Sequence, residues 1–236
     1  MRAYPVTHKG LVREQNEDTV RVVPGEYGLY ILADGMGGHL AGEVASRMTA
    51  DEMQRMLKDC AAPSTELLRE AIMKANASVY QKQLSAPEMK GMGTTLTALW
   101  EGDDYVYIGH VGDSRAYLYR DGLFRQMTED HSMVGELVRS GAITEEKART
   151  HPYRNVITRA VGTDEELQPD VFKIIKRPGD LWLLCSDGLT DMVEDDVILA
   201  AVRDHLPVDA VQILLREALN GGGKDNISVM LLEVEA

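Results

Sequence analysis

Cysteine is scarce in this sequence: Cys60 and Cys185 are the only two in 236 residues, and no paired-ligand spacing joins them. That excludes a disulfide framework and a thiolate zinc site, and both are read as buried small hydrophobes rather than reactive thiols. Large aromatics are few, with two Trp and two Phe, and cations are outnumbered, 25 Lys and Arg standing against 38 Asp and Glu for a net charge of −13. A chain so acidic and so short of stacking platforms is not built for general nucleic-acid or anionic-membrane binding. No apolar run approaches the roughly 18 residues that cross a bilayer, and residues 1–10 lack the apolar core of a signal peptide. The expectation is a cytoplasmic protein. Low-complexity tracts, long Pro/Gly/Ser linkers and fixed-period repeats are also missing, so residues 1–236 are expected to form one domain.

What is present patterns clearly. Short apolar runs rich in Val, Ile, Tyr and Leu predict strands at 27–33, 105–111, 116–119, 181–185 and 227–234, and Asp121-Gly122 reads as a hairpin turn. Leu68, Ala71, Ile72, Ala75 and Val79 form one helical stripe behind Ser64, a residue suited to cap it. Val211, Leu214, Leu215, Ala218 and Leu219 form a second, closed by Gly221-Gly222-Gly223, and Ala45, Met48, Met53 and Met56 a third. Strands come in groups and helices in groups, which predicts an α+β fold with antiparallel sheets covered by helices.

Most acids belong on a solvated surface, because carboxylates are rarely buried without a partner. Five sit elsewhere. Asp34 follows Leu29-Tyr30-Ile31-Leu32-Ala33, Asp113 follows the run ending at Gly112, and Asp187 follows Leu183-Leu184-Cys185-Ser186. Asp225-Asn226 leads directly into the run from Ile227, and Asp18 precedes Val20, Val22 and Val23. One Asp-Gly is most often a surface turn. Five acids at strand boundaries, if their ends converge, would repel one another and recruit hard cations, Mg²⁺ or Mn²⁺ rather than zinc. A structural Ca²⁺ site is the alternative, although its ligands usually come from one short stretch of chain.

Six segments in order carry a resemblance: Arg13-Glu14-Gln15-Asn16-Glu17-Asp18, Asp34-Gly35-Met36-Gly37-Gly38-His39, Gly93-Thr94-Thr95, Gly112-Asp113-Ser114-Arg115, Ser186-Asp187-Gly188 and Asp225-Asn226. In that order and spacing the chain resembles the bacterial branch of the metal-dependent protein Ser/Thr phosphatases, the type 2C family, along essentially its whole length. The resemblance implies a central β-sandwich of two antiparallel sheets flanked by helix pairs, with a metal centre at one edge. It further implies hydrolysis of phosphoserine and phosphothreonine in proteins by direct attack of a metal-activated water, without a phosphoenzyme.

By the same resemblance Asp34 bridges two Mn²⁺ or Mg²⁺ ions, the Gly35 carbonyl ligates one of them, and Asp187 and Asp225 complete the other. Asp18, with Glu17, holds metal-bound waters, and Asp113 serves a third, weaker ion. Arg13 is matched to the phosphate-binding residue, which suits its planar fork. The bland reading of Arg13 is a surface ion pair, and that of Asp113 a turn aspartate bonded to Ser114 or Arg115. His39 is the candidate to protonate the leaving seryl or threonyl oxygen, its alternative being to orient a water. His8, His110, His131, His151 and His205 are read as structural or surface residues. About residues 129–150 resemble a flap beside the active site. The partners implied are phosphorylated proteins, namely Ser/Thr kinases and their substrates, approached by a monomer without nucleic acid or membrane.

Two other readings use the same acids. A two-metal phosphodiesterase would require a basic track that this composition lacks, and a non-catalytic module would have no use for every metal-site acid. The charge balance suits the first reading: Asp18, Asp34, Asp187 and Asp225 carry four negative charges that two divalent ions neutralise, and distant acids are screened beyond roughly 8 Å.

Overall fold

The structure is a computed structural model that describes residues 1–37 and 40–235. Its first half comprises β1 (Arg2–His8), β2 (Thr19–Val23), β3 (Leu29–Ala33), β4 (Gly35–Met36), α1 (Leu40–Leu57), α2 (Thr65–Ser85), β5 (Gly93–Thr94), β6 (Leu96–Glu101) and β7 (Tyr105–Val111). The second half comprises β8 (Arg115–Arg120), β9 (Leu123–Gln126), α3 (Met133–Arg139), α4 (Glu145–Arg149), β10 (Asp170–Ile175), β11 (Leu181–Cys185), α5 (Asp187–Thr190), α6 (Asp195–Asp204), α7 (Pro207–Asn220) and β12 (Ile227–Glu233).

The strands form two antiparallel five-stranded sheets, ordered β1-β12-β11-β8-β9 and β10-β7-β6-β3-β2, with β4-β5 as a short extra ladder. Alternation along each strand decides which layer a side chain enters. Tyr30 and Leu32 of β3 meet Trp182 and Leu184 of β11 and Met230 of β12 between the sheets. Leu29 and Ile31, the residues between, face Ala45 and Met53 of α1 and Leu68 and Ile72 of α2. On the opposite side Leu183 and Cys185 pack under Ile198 of α6 and Val211 and Leu214 of α7. Both faces of each sheet are therefore covered, and that is why these strands read as unbroken apolar runs rather than alternating ones.

The helices start and stop for local reasons. Ser64 caps α2 by accepting from the Leu67 amide, and the stripe Leu68, Ala71, Ile72, Ala75 and Val79 is buried, joined by Asn76. Pro207 sits in the first turn of α7, where its missing N–H costs nothing. Asp121 and Gly122 both have positive φ, 53° and 79°, the signature of the two-residue turn that joins β8 to β9. Two expectations need adjusting. Cys60, just beyond α1, is half-buried rather than buried, because it lies past the packed stripe; its thiol donates to Met56 O at 3.2 Å. The strand expected from residue 27 begins at Leu29. Among the described residues no helix is long and apolar enough to cross a membrane.

Candidate metal centre

Register places the acids together. In one sheet Ala33 pairs with Thr19 and Leu96 with Val111, so the end of β3, the start of β2 and the end of β7 lie at one edge. In the other sheet Cys185 pairs with both Val229 and Arg115, which brings the end of β11 and the starts of β12 and β8 to a common edge. Asp18, Asp34 and Asp113 extend from the first sheet, and Asp187 and Asp225 from the second.

Each acid is fixed by its neighbours. Thr95 Oγ1 accepts from the Asp34 amide at 3.0 Å, while Thr94 Oγ1 and the Thr95 amide both donate to Asp34 O at 2.8 Å. Gly35 follows at the start of β4, packed so tightly that an added Cβ would overlap Gly42 O. Ser186 Oγ donates to Asp18 Oδ2 at 3.0 Å and accepts from the Ser228 amide at 3.0 Å, tying the acid of one sheet to the other. Asp187 opens α5, and Gly188 after it lies where any Cβ would overlap Asn226 O. Asn226 is the hub of this edge. Its Oδ1 accepts from the Glu17 amide at 2.8 Å and its Nδ2 donates to Lys9 O at 3.0 Å and Gln15 O at 2.8 Å, clamping the loop before Asp18 onto β12.

Arg13 donates to Asp225 Oδ2 at 2.7 Å, with about half of its side chain exposed. The ion pair weighed as the bland reading of Arg13 is thus present, and its partner is itself one of the five acids. Arg115 does not bond Asp113; it holds Asp130 in a fork, at 2.7 Å through NH2 and 3.0 Å through Nε. His39 lies outside the described residues.

Electrostatics show how much this arrangement costs without counter-charge. Burial, then the Asp18 charge, holds the Asp34 carboxyl well above the usual carboxylate range. Burial, then Asp113 and Asp225, does the same to Asp187. Asp18 is pushed up to about 6 by burial, against the pull of hydrogen bonds from Ser228 and Ser186, and Asp113 is pushed up to about 7 by burial and the charge of Asp130.

Do these residues fit a cation? Asp18 Oδ1 and Asp187 Oδ1 are shut off from solvent with no hydrogen-bond partner. A buried acceptor left so costs about 1–3 kcal/mol, more if charged, and a cation removes that cost. The donors are hard oxygens, the type that Mg²⁺ and Mn²⁺ take. Among the described residues no three His, Cys, Asp or Glu side chains form a ready cage for a single ion. Ions that keep several waters and bind through one or two carboxylates each do not need one. The donor set fits a water-rich centre spread along the edge.

A sequence model of the protein phosphatase 2C family matches residues 8–220. The chain belongs to that family. Among its protein phosphatase 2C relatives, the Ser/Thr protein phosphatase PstP of Mycobacterium tuberculosis is 41% identical over 229 residues, a match covering 96% of this chain and 43% of PstP. The chain thus spans less than half of that relative's length. The Ser/Thr phosphatase stp of Listeria monocytogenes is 38% identical over 239 residues, covering 96% of this chain and 93% of stp. A solved structure of the PstP catalytic domain in complex with two manganese ions superimposes with a TM-score of 0.90 at 38% identity, covering 100% of this chain and 98% of that one. The two antiparallel sheets and their helix layers are therefore the phosphatase 2C architecture.

Sequence reasoning named the five acids but assigned no part to Ser186, Ser228, Thr95 or Asn226. Asn226 stood in a quoted motif, and the Thr pair followed Gly93; only their long-range partners reveal that they position the acids.

Proposed function

We propose that this chain is a metal-dependent phosphoprotein phosphatase that hydrolyses phosphoserine and phosphothreonine at a two-ion centre. Its substrates are Ser/Thr kinases and the proteins they phosphorylate, and it acts in the cytoplasm as a monomer. One observation carries the reading: five carboxylates from two sheets meet at one edge, two with buried oxygens that lack any donor, in a member of the protein phosphatase 2C family. The likeness to a phosphatase domain crystallised with two manganese ions supports the same cofactor here.

Asp34, whose carboxyl feels the charges of Asp18 and Asp113 from its own sheet and of Asp187 and Asp225 from the other, would serve both ions, the Gly35 carbonyl would help hold one, Asp187 and Asp225 the other, and Asp113 would serve a third, weaker site. When bound, paired divalent ions supply Lewis acidity, lowering the pKa of water and polarising phosphoryl oxygens. The protein's part is to hold ionised oxygens in place. Because burial keeps Asp34 and Asp187 protonated to unusually high pH, loading the centre releases protons and tightens as pH rises. Asp18, anchored by Ser186, with Glu17 beside it, orders water at the edge. Arg13 is tethered through one nitrogen to Asp225, and its planar fork suits bidentate bonding to phosphate oxygens. His39 is assigned the proton for the leaving seryl or threonyl oxygen. The segment 129–150 acts as a flap that contacts the protein part of the substrate.

The test is release of phosphate from phosphoserine, phosphothreonine and phosphotyrosine peptides. Turnover of the first two is expected with Mn²⁺ or Mg²⁺, none in excess chelator, and a fall of at least about a hundredfold in Asp34→Asn. Undiminished turnover in chelator would refute the reading.

A further inference from the structure

A cavity of about 600 Å³ lies between the 129–150 segment, the β8-β9 hairpin and α6, and it includes Asp113 and Asp187 in its wall. It therefore opens directly onto the candidate metal centre, and its size falls within the roughly 300–1,000 Å³ typical of ligand pockets. We propose that this cavity receives a lysine or arginine side chain of the substrate protein, close in sequence to the phosphorylated residue; the inference rests on the phosphatase reading above and names the substrate class.

Charge is the first argument. Eight carboxylates and four guanidinium groups line the cavity. The guanidiniums are already engaged: Arg115 with Asp130 at 2.7 Å, Arg149 with Asp195 at 2.9 Å and Glu194 at 3.0 Å, Arg139 with Glu129 at 3.6 Å, and Arg154 with Asp191 at 3.9 Å. Glu145 on α4 and Asp196 on α6 have no ion-pair partner among the described residues. Even with Asp113 and Asp187 committed to divalent ions, acids still outnumber cations in the wall. An acidic flanking residue would meet this surplus as repulsion, a basic one as complement.

Shape is the second argument. Tyr117 and Phe124 stack face to face, centroids 4.8 Å apart and planes 3° apart, and Val134, Val138 and Leu199 extend the apolar wall. A long side chain with an aliphatic stem and a cationic head satisfies both parts of such a cavity, laying methylenes on the apolar wall with its charge toward the carboxylates.

The experiment compares phosphothreonine peptides of one length bearing Arg, Ala or Glu at the flanking positions, in Mn²⁺, with wild-type protein and the double variant Glu145→Gln/Asp196→Asn. Wild type is expected to favour Arg over Glu peptides by about tenfold in kcat/KM, with Ala between, and the ratio is expected to shrink at 0.5 M salt. The double variant is expected to lose about threefold or more of that ratio. Equal rates for all three peptides, a preference for Glu, or an Arg preference unchanged in the double variant would overturn the proposal while leaving the phosphatase reading intact. Failure to hydrolyse any of the peptides would overturn both.

Discussion

His110 makes the fold sensitive to acid, and one substitution isolates its share. Its ring is fully buried, Nδ1 lies 3.1 Å from Thr97 Oγ1, Nε2 lies 3.1 Å from Glu129 O, and the His131 ring lies 4.9 Å away, tilted by 40°. Neutral imidazole donates to the Glu129 carbonyl from Nε2, which leaves Nδ1 as the site of the added proton, facing a Thr97 hydroxyl that also lies 3.2 Å from Ser114 O. Burial, and then His131, push its pKa down to about 4 from an ordinary 6.5. Between those values the unfolded chain binds the proton and the native one does not, so stability rises with pH through the window and is lost as pH falls through it. The full effect is about 3 kcal/mol, of which about 2.5 lies between pH 7.5 and pH 4.5. His110→Gln keeps a polar group but cannot titrate. Urea unfolding of metal-free protein at the two pH values should show wild type losing about 2.5 kcal/mol more than the variant on acidification, equivalent to a difference of about 5–10 °C in Tm. Parallel losses in the two proteins would refute the reasoning, since every other titrating group is common to both.

Three further outcomes can be measured directly. Asn226→Ala removes three hydrogen bonds that clamp the 9–17 loop, and we expect about 2–4 kcal/mol lost in unfolding together with faster amide exchange in that loop. Gly188→Ala forces a methyl of α5 into Asn226 O just before β12, and should cost at least about 2 kcal/mol and weaken Mn²⁺ binding by calorimetry, whereas the same change at open Gly179 should leave binding unaltered. Adding Mn²⁺ at about a hundred times its Kd should raise stability by about 2.7 kcal/mol and release protons near pH 6, where Asp18 is half-ionised; the absence of both would mean that the acids do not share a cation.

How far was this legible in the sequence? Strands β3, β7, β11 and β12 were, because helices and the second sheet bury both their faces and leave continuous apolar runs. Strand β1 was not: it carries Pro5, which an interior strand would not accept, and it is tolerated because β1 is the edge of its sheet. β2 and β10, at the edges of the other sheet, are only partly covered and blur the pattern in the same way. In the site, Asp34, Asp113, Asp187 and Asp225 could be picked out because each ends or precedes an apolar run. The bonds that aim them could not, since Ser186 to Ser228 and Asp34 to Thr95 join residues 42 and 61 positions apart. The His110–His131 contact was likewise invisible, its rings meeting only when the chain returns past β7.

The acids belong to two separate sheets, and what separates them is the middle layer of Trp182, Leu184, Met230, Tyr30 and Leu32. That layer is a spacer whose thickness sets how far the acids of one sheet stand from those of the other. Trimming it far from the rim, at Trp182 for instance, would leave a hole that the leaves close only in part, and the injury would also surface at the rim, as acids shifted against one another and weaker cation binding.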